Sequence, residues 1–142
     1  IDKNFELVYK GKEAFKPKAK HFFGMYMDGQ WYGLKVKPNS FNEDDLVESL
    51  DVSILHNLII SPVFGITDPR TDSRIDFVGG VKGVEELTRR VDSGQMRIAF
   101  ALFATPIDDL MKIADEGLIM PPKSTWFEPK LQSGIFIHSI KE

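Results

Sequence analysis

Asp28-Gly29 is the feature that most restricts how this chain can fold. It separates two alternating, aromatic-rich runs, Phe22-Phe-Gly-Met-Tyr-Met27 and Gln30-Trp-Tyr-Gly-Leu-Lys-Val-Lys37. Asp-Gly in that setting is the signal of a type I′ turn, because both central residues must take positive φ. A two-residue turn sets the register. Met27 then faces Gln30, Met25 faces Tyr32 and Phe23 faces Leu34, so Phe23, Met25, Tyr32, Leu34 and Val36 share the core face. Tyr26 and Trp31 pair on the other face beside Lys35 and Lys37. That face is expected to be covered by another domain, ahead of serving as a contact surface.

Upstream, Phe5 to Tyr9 reads as a strand. The lysine-rich piece from Lys10 to Lys20, which holds Gly11 and Pro17, reads as a solvated loop. Residues 1–20 are therefore expected to be a strand and a loop ahead of a single α+β domain at 21–142. At 142 residues and 42% hydrophobic composition the chain can bury a real core without staples. It has no cysteine, which excludes thiol chemistry and disulfides and makes a cytoplasmic setting the expectation. No apolar run is long enough to span a bilayer, so no membrane partner is expected. A net charge of −3 argues against a domain built to hold a nucleic-acid backbone. Because the chain opens on Ile1, it is expected to be a C-terminal fragment of a longer protein, with the remainder of that protein as a partner.

Downstream, Asn42-Glu-Asp-Asp45 has the chemistry of a helix start. A second helix is expected from an Asp51 cap, with Val52, Leu55, Leu58 and Ile59 on one face and Pro62 ending it near Ser61. His56 lies just off that stripe and reads as a structural hydrogen-bonder. A short strand from Ile75 to Val78 follows, then Gly79-Gly80 and a helix from about Val81 to Val91 with Val84, Leu87 and Val91 inward. Met96 to Ala104 is nearly all apolar and reads as a central strand. Thr105-Pro106-Ile-Asp108 starts a helix with Thr105 at the cap and Pro106 at the first helical position. Ile107, Leu110, Met111 and Ala114 form its expected buried face, and Gly117 is its stop. Gly134 to Ile140 alternates as a last strand. The expected fold is α+β, a mixed, largely antiparallel sheet with three or four packed helices.

Two loops concentrate the polar chemistry. In Asp68-Pro-Arg70-Thr-Asp72-Ser-Arg74-Ile-Asp76, the guanidinium forks of Arg70 and Arg74 suit phosphate or carboxylate, and Asp72 and Asp76 could hold them in place. The strand, glycine pair and helix start that follow could add an anion site of free amides. In Gly117 to Gly134, Pro121 and Pro122 forbid a helix while Lys123, Ser124, Thr125, Glu128 and Lys130 crowd around Trp126 and Phe127. The candidate ligand-binding set is Arg70, Arg74, Lys123, Ser124, Thr125 and Lys130. Asp72, Asp76 and Glu128 are the candidates for proton transfer, or for magnesium, the one cofactor considered. No histidine spacing supports a metal site. Trp126 and Phe127 are candidate contact residues. The expected partner is a small anionic metabolite, if the two loops meet in space.

The runs Leu50-Asp-Val-Ser-Ile-Leu55, Arg70-Thr-Asp-Ser-Arg-Ile-Asp-Phe-Val-Gly-Gly80, Arg97-Ile-Ala-Phe-Ala-Leu-Phe103 and Met120-Pro-Pro-Lys-Ser-Thr-Trp-Phe-Glu-Pro-Lys130 together resemble the C-terminal part of the bacterial and archaeal domain-of-unknown-function family 1015. The resemblance covers nearly the whole chain. Some members are labelled as similar to chromosome-partitioning proteins of the ParB and Spo0J type, a wider group that includes free-serine kinases, and their genes often lie near those of serine biosynthesis. The resemblance implies an enzyme, or part of one, in serine-related phosphoryl transfer. Its alternatives are a structural or interaction domain and a ParB-like nucleic-acid module, although the arginine-rich signature of a ParB nuclease domain is absent.

Overall fold

The structure is a computed structural model that describes residues 2–79, 83–121 and, as backbone, 132–137. The hairpin forms as its turn chemistry requires. Asp28 and Gly29 both have positive φ, 53° and 77°, and β2 (Phe22–Met27) meets β3 (Gln30–Val36) in the expected register. On its other side β3 pairs with β1 (Phe5–Gly11), whose ladder slips at a bulge between Leu7 and Tyr9. The sheet then runs from β2 through β5 (Ile98–Phe103) and β6 (Gln132–Ile137) to β4 (Ile75–Gly79). All six strands of the order β1-β3-β2-β5-β6-β4 pair antiparallel with their neighbours. The class is α+β.

Because side chains alternate along each strand, the sheet has two apolar faces. One carries Phe23, Met25, Leu34, Val36, Phe100 and Leu102 under a helical rod that supplies Ile54, Leu55, Ile59 and Ile60. The opposite face carries Tyr26, Trp31, Val78, Ala99 and Ala101 under α3 (Gly83–Asp92), which contributes Val84 and Leu87. Trp31 is 1% exposed. The cover expected from another domain is thus provided within the chain, by an amphipathic helix that reads only weakly as a partner for a strand before it in sequence. Burial first, and then the 2.7 Å hydrogen bond that the phenol donates to Asp92, push the Tyr26 phenol up to about 12.

The segment before β2 is more than a wet loop. Lys12, Lys16 and Lys18 face water, but Pro17 is buried, the Phe15 ring lies over Gly33 and the Phe15 carbonyl oxygen over its cross-strand partner Gly24, and the ring is stacked on Tyr9 at 5.6 Å. Two glycines directly opposite leave a notch in the sheet that an aromatic ring can fill.

The rod departs from the sequence reading in several ways. Asn42–Asp45 makes capped turns, with Asp45 Oδ1 accepting from Val47 and Glu48, but no regular helix follows. The cap of α1 (Asp51–Leu55) is Leu50, and Asp51 is the first helical residue. Pro62 does not end the rod. A π-helical turn over His56–Ile60 precedes α2 (Ser61–Phe64), and Gly65 closes it in the left-handed region at φ 68°. Proline lacks an N–H and its ring crowds the carbonyl four residues back; a widened turn accommodates both. The amide of Ser61 accordingly bonds His56 O, five residues back. The wide turn also rotates the buried face from the expected Val52/Leu55/Leu58/Ile59 to Ile54/Leu55/Ile59/Ile60, pairs five apart. Val52 and Leu58 are only partly buried.

The last described helix, α4 (Ile107–Asp115), is capped by Pro106, one residue later than expected, whose carbonyl receives the amides of Asp109 and Leu110. Its expected buried face is also overturned. Ile113 is the buried residue, whereas Ile107 and Met111 are 71% and 58% exposed and Ala114 faces solvent. Gly117 does stop it, at φ 67°, with Leu118 N bonded to Ile113 O. No helix among the described residues is long and apolar enough to cross a membrane.

Candidate functional site

A groove of about 540 Å³ lies between the rod and the turn that leads to β4. That volume lies within the ordinary range for small-molecule sites. Val52, Ile60, Ile75 and Phe77 give it an apolar wall, and Ser53, His56, Asn57 and Glu48 stand along the rod side. Thr67, Asp68, Pro69 and Arg70 form the facing rim. His56 and Asn57 belong to the π-helical turn, which carries its residues around the rod by a different angle than an α turn would.

The rim is shaped by a device used twice in succession. In Asp68-Pro69-Arg70 the carboxylate accepts the Arg70 amide at 3.0 Å and two guanidinium nitrogens at 3.1 and 3.2 Å. Asp72-Ser73-Arg74 repeats the arrangement, with contacts of 2.9 Å to the amide and 2.6 Å to Nη2. Each aspartate folds its own turn and holds its own arginine. Their partners keep both carboxylates below the usual range: hydrogen bonding to Arg70 lowers Asp68, and hydrogen bonding to Arg74 brings Asp72 to about 2. His56 is close enough to add to the lowering at Asp68.

The two arginines have different fates. Arg74 also donates to Phe64 O at 3.1 Å and Gly65 O at 3.3 Å, the carbonyls left open at the end of α2. It is a clamp between the rod and β4. Arg70 has its Nε and Nη2 on Asp68, its side chain is 65% exposed, and among the described residues Nη1 has no acceptor. Of the two, Arg70 is the more exposed and lines the groove.

Asp76 is separated from both. Ile75 and Phe77 point to the rod side of β4, so Asp76 points to the α3 side, where its Oδ2 takes Arg90 Nη1 at 2.7 Å. Of the expected pairings, Asp72 with Arg74 is found, while Arg70 is held by Asp68 and Asp76 serves α3. Lys123, Ser124, Thr125, Trp126, Phe127, Glu128 and Lys130 lie outside the described residues, as do Gly80 and the start expected for α3. Pro121, the last described residue before them, lines the same groove as Thr67–Arg70. The described end of the second polar loop, residues 117–121, therefore reaches this groove.

Glu48, Ser53, Asn57, Thr67 and Asp68 were not singled out from sequence as site residues, and His56 was read as structural. The repeated Asp-x-Arg spacing is the signal that could have placed Asp68 with Arg70. Nothing local in the sequence announces the groove wall, since Val52, Ile60 and Phe77 come from separate elements. Among the described residues, no cluster of histidines and carboxylates could hold a metal ion. Set against known protein families, curated proteins and solved structures, the chain has no match.

Proposed function

We propose that the groove binds a small metabolite with an anionic head on an apolar body, and that the domain is part of an enzyme acting on it. The observation that carries this reading is Arg70. Its guanidinium is oriented by Asp68 at the rim of an apolar-walled groove that His56, Ser53, Asn57 and Pro121 also line. An oriented guanidinium fork suits a carboxylate or phosphate, and the wall of Val52, Ile60, Ile75 and Phe77 favours a carbon skeleton beside it. The resemblance to family 1015 narrows the proposal to serine-related phosphoryl transfer in the cytoplasm, with Lys123, Ser124, Thr125, Glu128 and Lys130 completing the site from the adjoining loop and magnesium as the candidate ion.

Thermal shift and backbone-amide NMR with inorganic phosphate, phosphoserine and phenyl phosphate test the reading. The expected result is stabilisation by an organic phosphate beyond that by inorganic phosphate, with amide shifts at Val52, His56, Thr67 and Arg70, all lost in Arg70→Ala. An Arg70→Ala protein that responds like the wild type, or no response to any of the three, would overturn it.

One observation favours a second reading, an interaction domain. Ile107, Met111, Leu118 and Ile119 are exposed along and just beyond α4. Self-association or partner binding that Met111→Lys abolishes, with phosphate titrations silent, would select it.

A further inference from the structure

At one end of the sheet the segment entering β2 meets the first turns of α1 and α4. His21 is a non-glycine residue in the left-handed region, at φ 72°, a conformation that the surroundings must hold. Its amide donates to Asp51 Oδ1 at 2.9 Å, and its ring lies 3.4 Å by Nε2 from Ser49 O and 4.8 Å from the Phe41 ring. Beside it, Lys20 Nζ stands 2.7 Å from Asp109 Oδ2, an oxygen closed off from solvent with no aligned hydrogen-bond donor. Lys20, Asp51, Thr105 and Asp109 line one cavity of about 10 Å³, room for a single water at most. Among the described residues, Lys20 and His21 from the segment and Asp109 from α4 are the charged or titratable groups acting on Asp51.

We propose that Asp51, Asp109 and Lys20 form a proton-operated latch that fastens the segment before β2 to the starts of α1 and α4. The latch is closed while Asp51 carries its proton beside the Lys20–Asp109 pair, and loosened when Asp51 ionises. With one proton bound, one carboxylate faces one ammonium and the cavity is neutral. With none, two carboxylates share a single ammonium in a space too small to hydrate them. Desolvation of the carboxyl is the main force on Asp51 and raises it from 3.8 to about 7; Asp109 adds to the rise, and the His21 amide and Lys20 oppose it. A carboxyl raised on folding contributes stability that is full below its unfolded value. That contribution is lost as pH rises through the folded value. The latch's contribution to stability is therefore lost between about pH 4 and about pH 7, the reverse of an ordinary salt-bridged aspartate. The inference is independent of what the groove binds.

The test uses the whole chain. Carboxyl carbon NMR should give Asp51 a midpoint near 7, and Lys20→Met should move it higher. Asp51→Asn keeps the oxygen that accepts the His21 amide but cannot ionise. It should melt like the wild type below about pH 4 and above it at pH 8.5, and at pH 8.5 trypsin should cut it after Lys18 more slowly than it cuts the wild type. An Asp51 midpoint near 4 in the wild type would overturn the proposal without recourse to any variant. So would a normal titration of the melting difference, in which Asp51→Asn and wild type stay equally far apart at both pH values.

Discussion

Adding one methyl group at Gly33 should tell whether Phe15 truly closes the sheet. A Cβ at that position would stand 2.6 Å from Phe15 Cε2 and 2.8 Å from Cδ2 and Cζ, so the ring must withdraw by roughly 0.8 Å to reach an ordinary 3.4 Å contact. Gly33 does not have a positive φ, so alanine meets no backbone penalty there. In an open strand the substitution would be favourable by about 0.5–1 kcal/mol, because glycine loses more chain entropy on folding. Here the ring is stacked on Tyr9 and packed into the core beneath α3, so retreat costs contacts on both sides. Overpacking of this kind costs about 1–3 kcal/mol, and the lower half of that range applies because Phe15 is only half-buried. The net effect of Gly33→Ala should be a loss of about 1 kcal/mol, or about 3–5 °C in melting temperature for a domain of this size. The decisive assay is a double-mutant cycle in urea. In a Phe15→Ala background the clash is gone, so Gly33→Ala should become neutral or stabilising, a coupling of about 1–2 kcal/mol. If the two substitutions add without coupling, the ring does not sit on Gly33 and the account of this segment fails.

Trp31→Ala should cost about 3–5 kcal/mol in chemical denaturation, the usual range for emptying a large aromatic site, because Trp31 is 1% exposed beneath α3. A loss under 1 kcal/mol would mean that α3 does not cover this face. Arg74→Ala should lower the melting temperature and leave any organic phosphate affinity at the groove unchanged, whereas Arg70→Ala should do the reverse. Calorimetry and thermal melts on the pair would separate them, and equal behaviour would refute the division between clamp and ligand contact.

The division of labour between sequence and tertiary structure can be followed residue by residue. Asp28-Gly29 specified the hairpin and its register, because only a small set of φ values closes a two-residue turn and the alternation of strand side chains does the rest. The helix stop at Gly117 and the inward residues Val84 and Leu87 of α3 were equally legible, since each depends on neighbours within one turn. The same local chemistry misled where a longer-range partner competed. Asp51 has the composition of a cap but is drawn to the His21 amide, and Pro62 looks like a terminator but is absorbed by a wider turn. In α4 the apolar stripe was legible as a pattern, yet which of its residues would be covered was decided by tertiary packing, which buries Ile113.

The candidate site divides in the same way. Arg70 and Arg74 were legible as guanidinium forks beside aspartates, and the aspartate two residues earlier holds each one because that distance is set by the backbone itself. Which arginine would be left for a ligand was not legible. That was decided when the end of α2 came to rest beside β4, leaving two open carbonyls that Arg74 satisfies and turning Arg70 toward the groove. Local sequence determines turns, caps and alternation because their energies are spent within a few residues. Which polar group stays free is decided by contacts between segments far apart in the chain, and only the assembled fold brings those together.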